Sequence, residues 1–183
     1  MKRCLIIAAL FAALLAAPLR ADQNAPVLDE LFALLKSDLK GAAAVAVTRE
    51  IWSAWLQHDN REVGALMDAG MRDMRAARWR DALGSFDAAV DLAPDFAEAW
   101  NKRATVHYML GDFPASSADV VETLRLEPRH FGALVGQGMM HMQQRNAAQA
   151  LLYFRRALAV NPHMDNVRRY IERLSQEPIP KPI

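Results

Sequence analysis

Methionine and histidine are the side chains of this sequence that recur at spacings with chemical meaning. Met67, Met71 and Met74 stand at i, i+4 and i+7, which places three thioethers on one face of a helix. The run Met139-Met140-His141-Met142 sets thioethers around an imidazole, and Met109 adjoins Tyr108. Two chemistries follow. Thioether sulfur is a soft ligand that selects Cu(I), so a soluble metal carrier is one reading. Methionine is also unbranched and polarizable and repacks around varied apolar ligands, so an apolar binding surface is the other. Packed helices stand about 8–10 Å apart, which makes it awkward for thioethers on successive helices to converge on one ion. No metal ligand is assigned. His58, His130 and His163 fall beside turn residues and read as solvated loop positions.

Catalysis has less to stand on. The sequence holds no Gly-rich phosphate loop, no nucleophile elbow and no His-Glu-x-x-His helix. Its carboxylates are spread along helix faces, as solubility requires, and Asp95, Asp112 and Glu127 sit at turns where capping accounts for them. Cys4 is the one cysteine, which leaves no disulfide pair and no cysteine–zinc set. We therefore expect a non-enzymatic protein without catalytic residues or a cofactor. A net charge of +1 carries no basic footprint of a nucleic-acid binder.

Residues 1–21 read as a secretory signal peptide. Lys2 and Arg3 open it, residues 4–17 form an unbroken apolar run, Pro18 ends that run, and Ala21 offers a small cleavage edge. The run is shorter than the roughly 20 residues of a membrane-spanning helix. The expected location is the periplasm, with no membrane insertion after signal removal; an uncleaved anchor in the inner membrane is the alternative. Loss of Lys2, Arg3 and Arg20 would take the net charge from +1 to −2.

The elements that position the methionines follow from an internal repeat. Pro94, Pro128 and Pro162 lie at one constant interval, each two places after an aliphatic residue (Leu92, Leu126, Val160). The same interval links three small residues, Gly70, Ala104 and Gly138, and three more, Ala82, Ser116 and Ala150. It also links Leu66, Trp100 and Leu134; Phe86, Val120 and Phe154; and Ala89, Thr123 and Ala157. Small residues in mid-helix let a partner helix approach, bulky ones fill the wedge between hairpins, and each proline stops the helix before it. Gly111-Asp112 reads as a left-handed cap followed by an N-cap, with Pro114 in the first turn.

These columns resemble the tetratricopeptide repeat, a helix–turn–helix unit of about 34 residues. The resemblance runs over 63–164 in three units, 63–96, 97–130 and 131–164. Unit two departs most, with Ser116, Val120 and Thr123 where Ala, an aromatic and Ala are usual, and looser packing is expected there. The implied fold is all-α: a solenoid of three such hairpins. Before it, residues 22–62 form a helical hairpin, either a degenerate leading repeat or an unrelated capping pair. After it, Val167, Tyr170, Ile171 and Leu174 give 165–176 the apolar stripe of a capping helix. The tail 177–183 is Pro-rich and is expected to be extended and flexible.

In repeats of this family the first helix of each unit lines a concave face. By resemblance, the residues there are Met67, Met71 and Met74 in unit one, Asn101, Thr105 and Tyr108 with Met109 in unit two, and Val135, Met139 and Met142 in unit three. A groove so lined suits a hydrophobic or amphipathic segment of a protein or peptide partner. The carboxylate-clamping Lys, Arg and Asn found in many members is not repeated here, since Asn101, Lys102 and Arg103 fall in one unit only. His107 and His141 occupy a column that in the family holds a packing aromatic. The function expected is a protein-interaction adaptor of the cell envelope. The alternatives are a Cu(I)-type carrier and a structural module that forms homo-oligomers.

Overall fold

The computed structural model of the protein describes residues 23–176; the expected signal peptide and the Pro-rich tail lie outside them. Every regular element among the described residues is an α-helix. They run α1 Val27–Leu35, α2 Ala42–Leu56, α3 Arg61–Arg75, α4 Trp79–Leu92, α5 Ala97–Leu110, α6 Phe113–Leu126, α7 Phe131–Gln143, α8 Ala147–Val160 and α9 Asp165–Gln176. Helices α3/α4, α5/α6 and α7/α8 pair as antiparallel hairpins, each packed on the next, and α9 closes the stack against α8.

The repeat columns explain the pairing. Phe86 and Phe154 are fully buried, and each ring lies over the small residue of its partner helix. A Cβ added to Gly70 would stand 2.6 Å from the Phe86 ring, and one added to Gly138 would stand 2.5 Å from that of Phe154. Only glycine permits that approach. Each hairpin turn passes through a left-handed residue at one repeat position: Ala77 (φ 54°), Gly111 (φ 81°) and Arg145 (φ 57°). The following helices are capped by the side chains of Asp112, which accepts from the Ala115 N–H at 3.1 Å, and Asn146, which accepts from that of Gln149 at 3.2 Å.

Unit two is held differently from its neighbours. The Ser116 hydroxyl donates to the Ala104 carbonyl at 2.8 Å, and Thr123 donates to that of Asp119 at 2.9 Å. Arg103 donates twice to the Asp119 carboxylate, both at 2.8 Å, and once to Asp87 of α4 at 3.0 Å. Hydrogen bonds and a bidentate ion pair thus tie the interior where the other units use packed rings. Val120 is buried but covers less than a phenyl would, and the space above it stays open.

The N-terminal pair α1/α2 has its own core of Leu28, Leu31, Phe32, Leu35, Val47, Ile51 and Trp55, shared with Phe131 of α7. It does not stack on α3 as a leading repeat would. Together with the residues that lead into α1, it lies across the three turns that join successive hairpins to the next element. At the first turn, the Gln23 amide donates to the Asp95 carbonyl at 2.5 Å and accepts from the Ala97 N–H at 3.2 Å. At the second, Asp29 pairs with Arg129 at 2.5 Å and Trp55 stacks on His130 with centroids 4.1 Å apart. At the third, Asn161 donates to Thr48 at 3.3 Å, and His163 lies 2.9 Å from the Leu35 carbonyl.

At the other end α9 buries Val167 and Leu174, and Tyr170 stacks on Phe154 at 5.4 Å. No described helix is long and apolar enough to cross a membrane.

Candidate functional site

The first helices of units two and three, α5 and α7, stand side by side and leave a groove of about 320 Å3 between them. Asn101, Thr105, Tyr108, Met109, Val135 and Met139 all line it, as the repeat register predicts. Its floor is Ala104 with Ser116 and Val120 of α6, and its α7 wall includes Gly132 and Gly136. No lining residue is charged. The polar groups present are turned to internal partners: the Asn101 amide donates to Glu98 at 2.9 Å, and the Thr105 hydroxyl donates to the Asn101 carbonyl at 2.9 Å. The groove is therefore apolar in effect, with Met109 about half exposed at its mouth.

Both ends are bounded. Near the C-terminal ends of the helices, the Tyr108 hydroxyl donates to Gln143 at 2.9 Å and bridges α5 to α7. Near their N-terminal ends, Trp52 of α2 stands over the Gly132 backbone, where an added Cβ would come within 2.5 Å of its ring. Lys102 lies 5.3 Å from the centre of the Trp52 ring and so covers its face.

Other expected groove residues are placed elsewhere. Met67 is 1% exposed and packs in the core between units one and two with Phe86, Phe96 and Val106. Position 67 faces the second helix of its own hairpin, and its neighbours there are apolar, so the thioether fills space inside. Met71 and Met74 are half-buried against that same core. Met142 packs with α8 and α9, its sulfur 3.3 Å from the Arg173 guanidinium. Of the methionines weighed as copper ligands, Met67, Met71 and Met74 share one apolar core, while the run at 139–142 is split, with Met140 in the core of unit two and Met139 and Met142 in that of unit three. Among the described residues no three His, Cys, Asp or Glu side chains converge. His141 stacks on Tyr153 at 5.4 Å, and His107 lies 3.8 Å from Asp119.

Of the three turn histidines only His130 is withdrawn from solvent; His58 and His163 are half-buried. His58 packs against Phe96, His163 is bonded to α1, and His130 is completely buried. His130 Nδ1 accepts from the Ala133 N–H at 3.0 Å and caps α7, so its proton lies on Nε2, which faces Glu98 at 2.8 Å. Lys102 meets the other Glu98 oxygen at 2.9 Å, as a charge contact rather than an aligned hydrogen bond. Burial alone would raise the Glu98 pKa, but Lys102 and then His130 outweigh it and hold the carboxyl below its ordinary range. This buried triad sits beneath Trp52 and Trp55, and sequence reading missed it. Its one local signal was His130 placed directly before a helix, at a capping position.

With that geometry in place, comparison with known proteins is direct. A profile described as tetratricopeptide repeat matches residues 67–120 and 102–165. The chain belongs to the tetratricopeptide repeat family. A TPR repeat-containing protein of Rhizobium etli is 31% identical over 150 residues, covering 82% of this chain and 74% of that one. DnaJ homolog subfamily C member 3 of Rattus norvegicus is 31% identical over 103 residues, which is 56% of this chain but 20% of the larger protein. Among solved structures, the TPR2B-domain:pHsp70 complex of yeast Sti1 superposes with a TM-score of 0.60 at 18% identity, over 65% of this chain and 100% of that one. A crystal structure of MamA superposes at 0.60 and 15% identity, over 75% and 85%. At those identities the structural likeness speaks to the fold. The hairpin stack is thus a tetratricopeptide solenoid, a fold that serves protein–protein interaction.

Proposed function

We propose that this protein is a non-enzymatic adaptor of the bacterial cell envelope that holds a segment of a partner protein in the groove between α5 and α7. The observation that carries this reading is the groove itself: uncharged walls, side chains of Asn101 and Thr105 that donate to internal partners, Met109 exposed at its mouth and Met139 in its wall. Such a surface recognises apolar side chains by shape. The TPR2B domain of yeast Sti1, which shares the fold, is solved as a complex with pHsp70, and this supports a protein partner. The envelope location rests on the charged, apolar and small-residue order of residues 1–21.

A photo-crosslinking residue at Met109, compared with one at Val121 on the outer face of α6, tests the binding site, since both positions are exposed. Capture of a defined partner from position 109 and not from 121 supports the groove. Equal capture from both sinks it. For location, residues 1–40 fused to a phosphatase active only after export should give activity that is lost when the apolar run is interrupted by charge.

A further inference from the structure

The groove is floored by unit two, and the repeat itself explains its shape. In units one and three a phenyl ring, Phe86 or Phe154, fills the wedge above a glycine. In unit two the same two columns hold Val120 and Ala104, so an isopropyl and a methyl group stand where the other units place a benzyl group. Both residues line the groove floor. The opening of about 320 Å3 is thus floored by this smaller pair, with Ser116 beside it. An apolar cavity of about 150 Å3 already admits benzene, so the size suffices for one aromatic side chain.

We infer that this pocket is an anchor site for a single uncharged aromatic side chain of the bound segment, standing in for the missing ring of unit two. The inference rests on the groove reading above and names the chemistry it selects. The absence of charge in the lining disfavours an ionised occupant, which would lose hydration without gaining a partner. Met109 at the mouth and Met139 in the wall favour a ring over an aliphatic chain, because thioether sulfur makes attractive contacts with aromatic edges. Gly136 has open space where its side chain would be, so the α7 wall stays flat for a ring to lie against. The Tyr108–Gln143 bridge limits the pocket at one end.

The test uses the exported chain labelled at its methionine methyl groups, with indole and benzyl alcohol as neutral probes, benzoate and benzylammonium as charged ones, and cyclohexanol as the saturated one. Neutral aromatic probes are expected to shift the Met109 and Met139 signals with saturation, at affinities at least tenfold above the charged and saturated probes. Two variants fill the pocket independently. Ala104→Gly with Val120→Phe restores the pair that units one and three already fold with, and Gly136→Ile projects into open space from the facing wall. Both should abolish the probe shifts. Persistence of the shifts in either folded variant, or equal binding of cyclohexanol or benzoate, would overturn the anchor. Crosslinking from position 109 separates the two readings. If the partner is still captured after the pocket is filled, the groove stands and the aromatic anchor falls. If the wild-type pocket takes the probes but no partner is captured at 109, the site stands and the adaptor reading falls.

Discussion

At the scale of single residues, two predictions follow from where charge and backbone strain are placed. Glu98 is buried with its pKa held below the ordinary value of 4.5. A carboxyl whose folded pKa is depressed contributes stability that is present above its unfolded pKa and lost as pH falls through the folded one. Docking of α1/α2 should thus be steady near neutrality and fail at pH well below 4.5. Glu98→Gln should remove that acid transition, while costing about 3–5 kcal/mol at pH 7 because Lys102 and His130 lose their charged partner. Tryptophan fluorescence against pH reads both effects, since Trp52 and Trp55 cover the triad; an unchanged acid midpoint in the variant would contradict this role. The second prediction concerns Ala77 and Arg145, which adopt the left-handed conformation that Gly111 supplies in unit two. A non-glycine residue there costs on the order of 1 kcal/mol. Ala77→Gly and Arg145→Gly should each raise the urea midpoint, whereas the same change at exposed Ala88 within α4 should lower it by the ordinary helix penalty.

Among elements, the polar interior of unit two invites a comparison of its two carboxylates. Asp119 is 5% exposed and receives two of the Arg103 bonds, whereas Asp87 is half exposed and receives one. Burial decides their weights, because an exposed pair is screened by water and a buried one is not. Asp119→Ala should destabilise the chain by about 2–4 kcal/mol, and Asp87→Ala by less than about 1 kcal/mol; equal losses in denaturant unfolding would refute that ranking. The sequence supported the hairpins well, since small, bulky and proline columns are local and repeat in phase. It also marked unit two as the odd one, at Ser116, Val120 and Thr123. Looser packing was the expectation, and the structure divides it in two: Ser116 and Thr123 bond to backbone, while Val120 leaves space that opens to the groove. Register alone placed six of the ten expected groove residues along that opening. It could not show that Met67 is sealed inside or that Met142 belongs to the α9 contact, because those depend on which neighbours stack on each face.

For the whole molecule, the least legible feature was the docking of α1/α2, and the reason is physical. Its apolar stripe is plain in Leu28, Leu31, Phe32 and Leu35, but a stripe says that a face is buried and not against what. The covering surface comes from turns 72 to 128 residues away, held by Gln23, Asp29 and Thr48, residues of kinds common on any helix surface. A solenoid is ordinarily stabilised by contacts between nearest neighbours, so each hairpin opens with little regard for distant ones. Here one segment, from Gln23 through α2, touches the turns after α4, α6 and α8 and should couple them. Trp55→Ala removes the ring stacked on His130 and should weaken the pair by about 3–5 kcal/mol. If α1/α2 acts as a strap, amide exchange should then quicken together at 95–97, 129–133 and 161–164, although Trp55 touches only the middle turn. Phe86→Ala, a comparable loss inside unit one, should quicken exchange in α3 and α4 and leave 161–164 at its original rate. Acceleration confined to 129–133 in the Trp55 variant would mean that the three turns move independently and that the pair is a local cover.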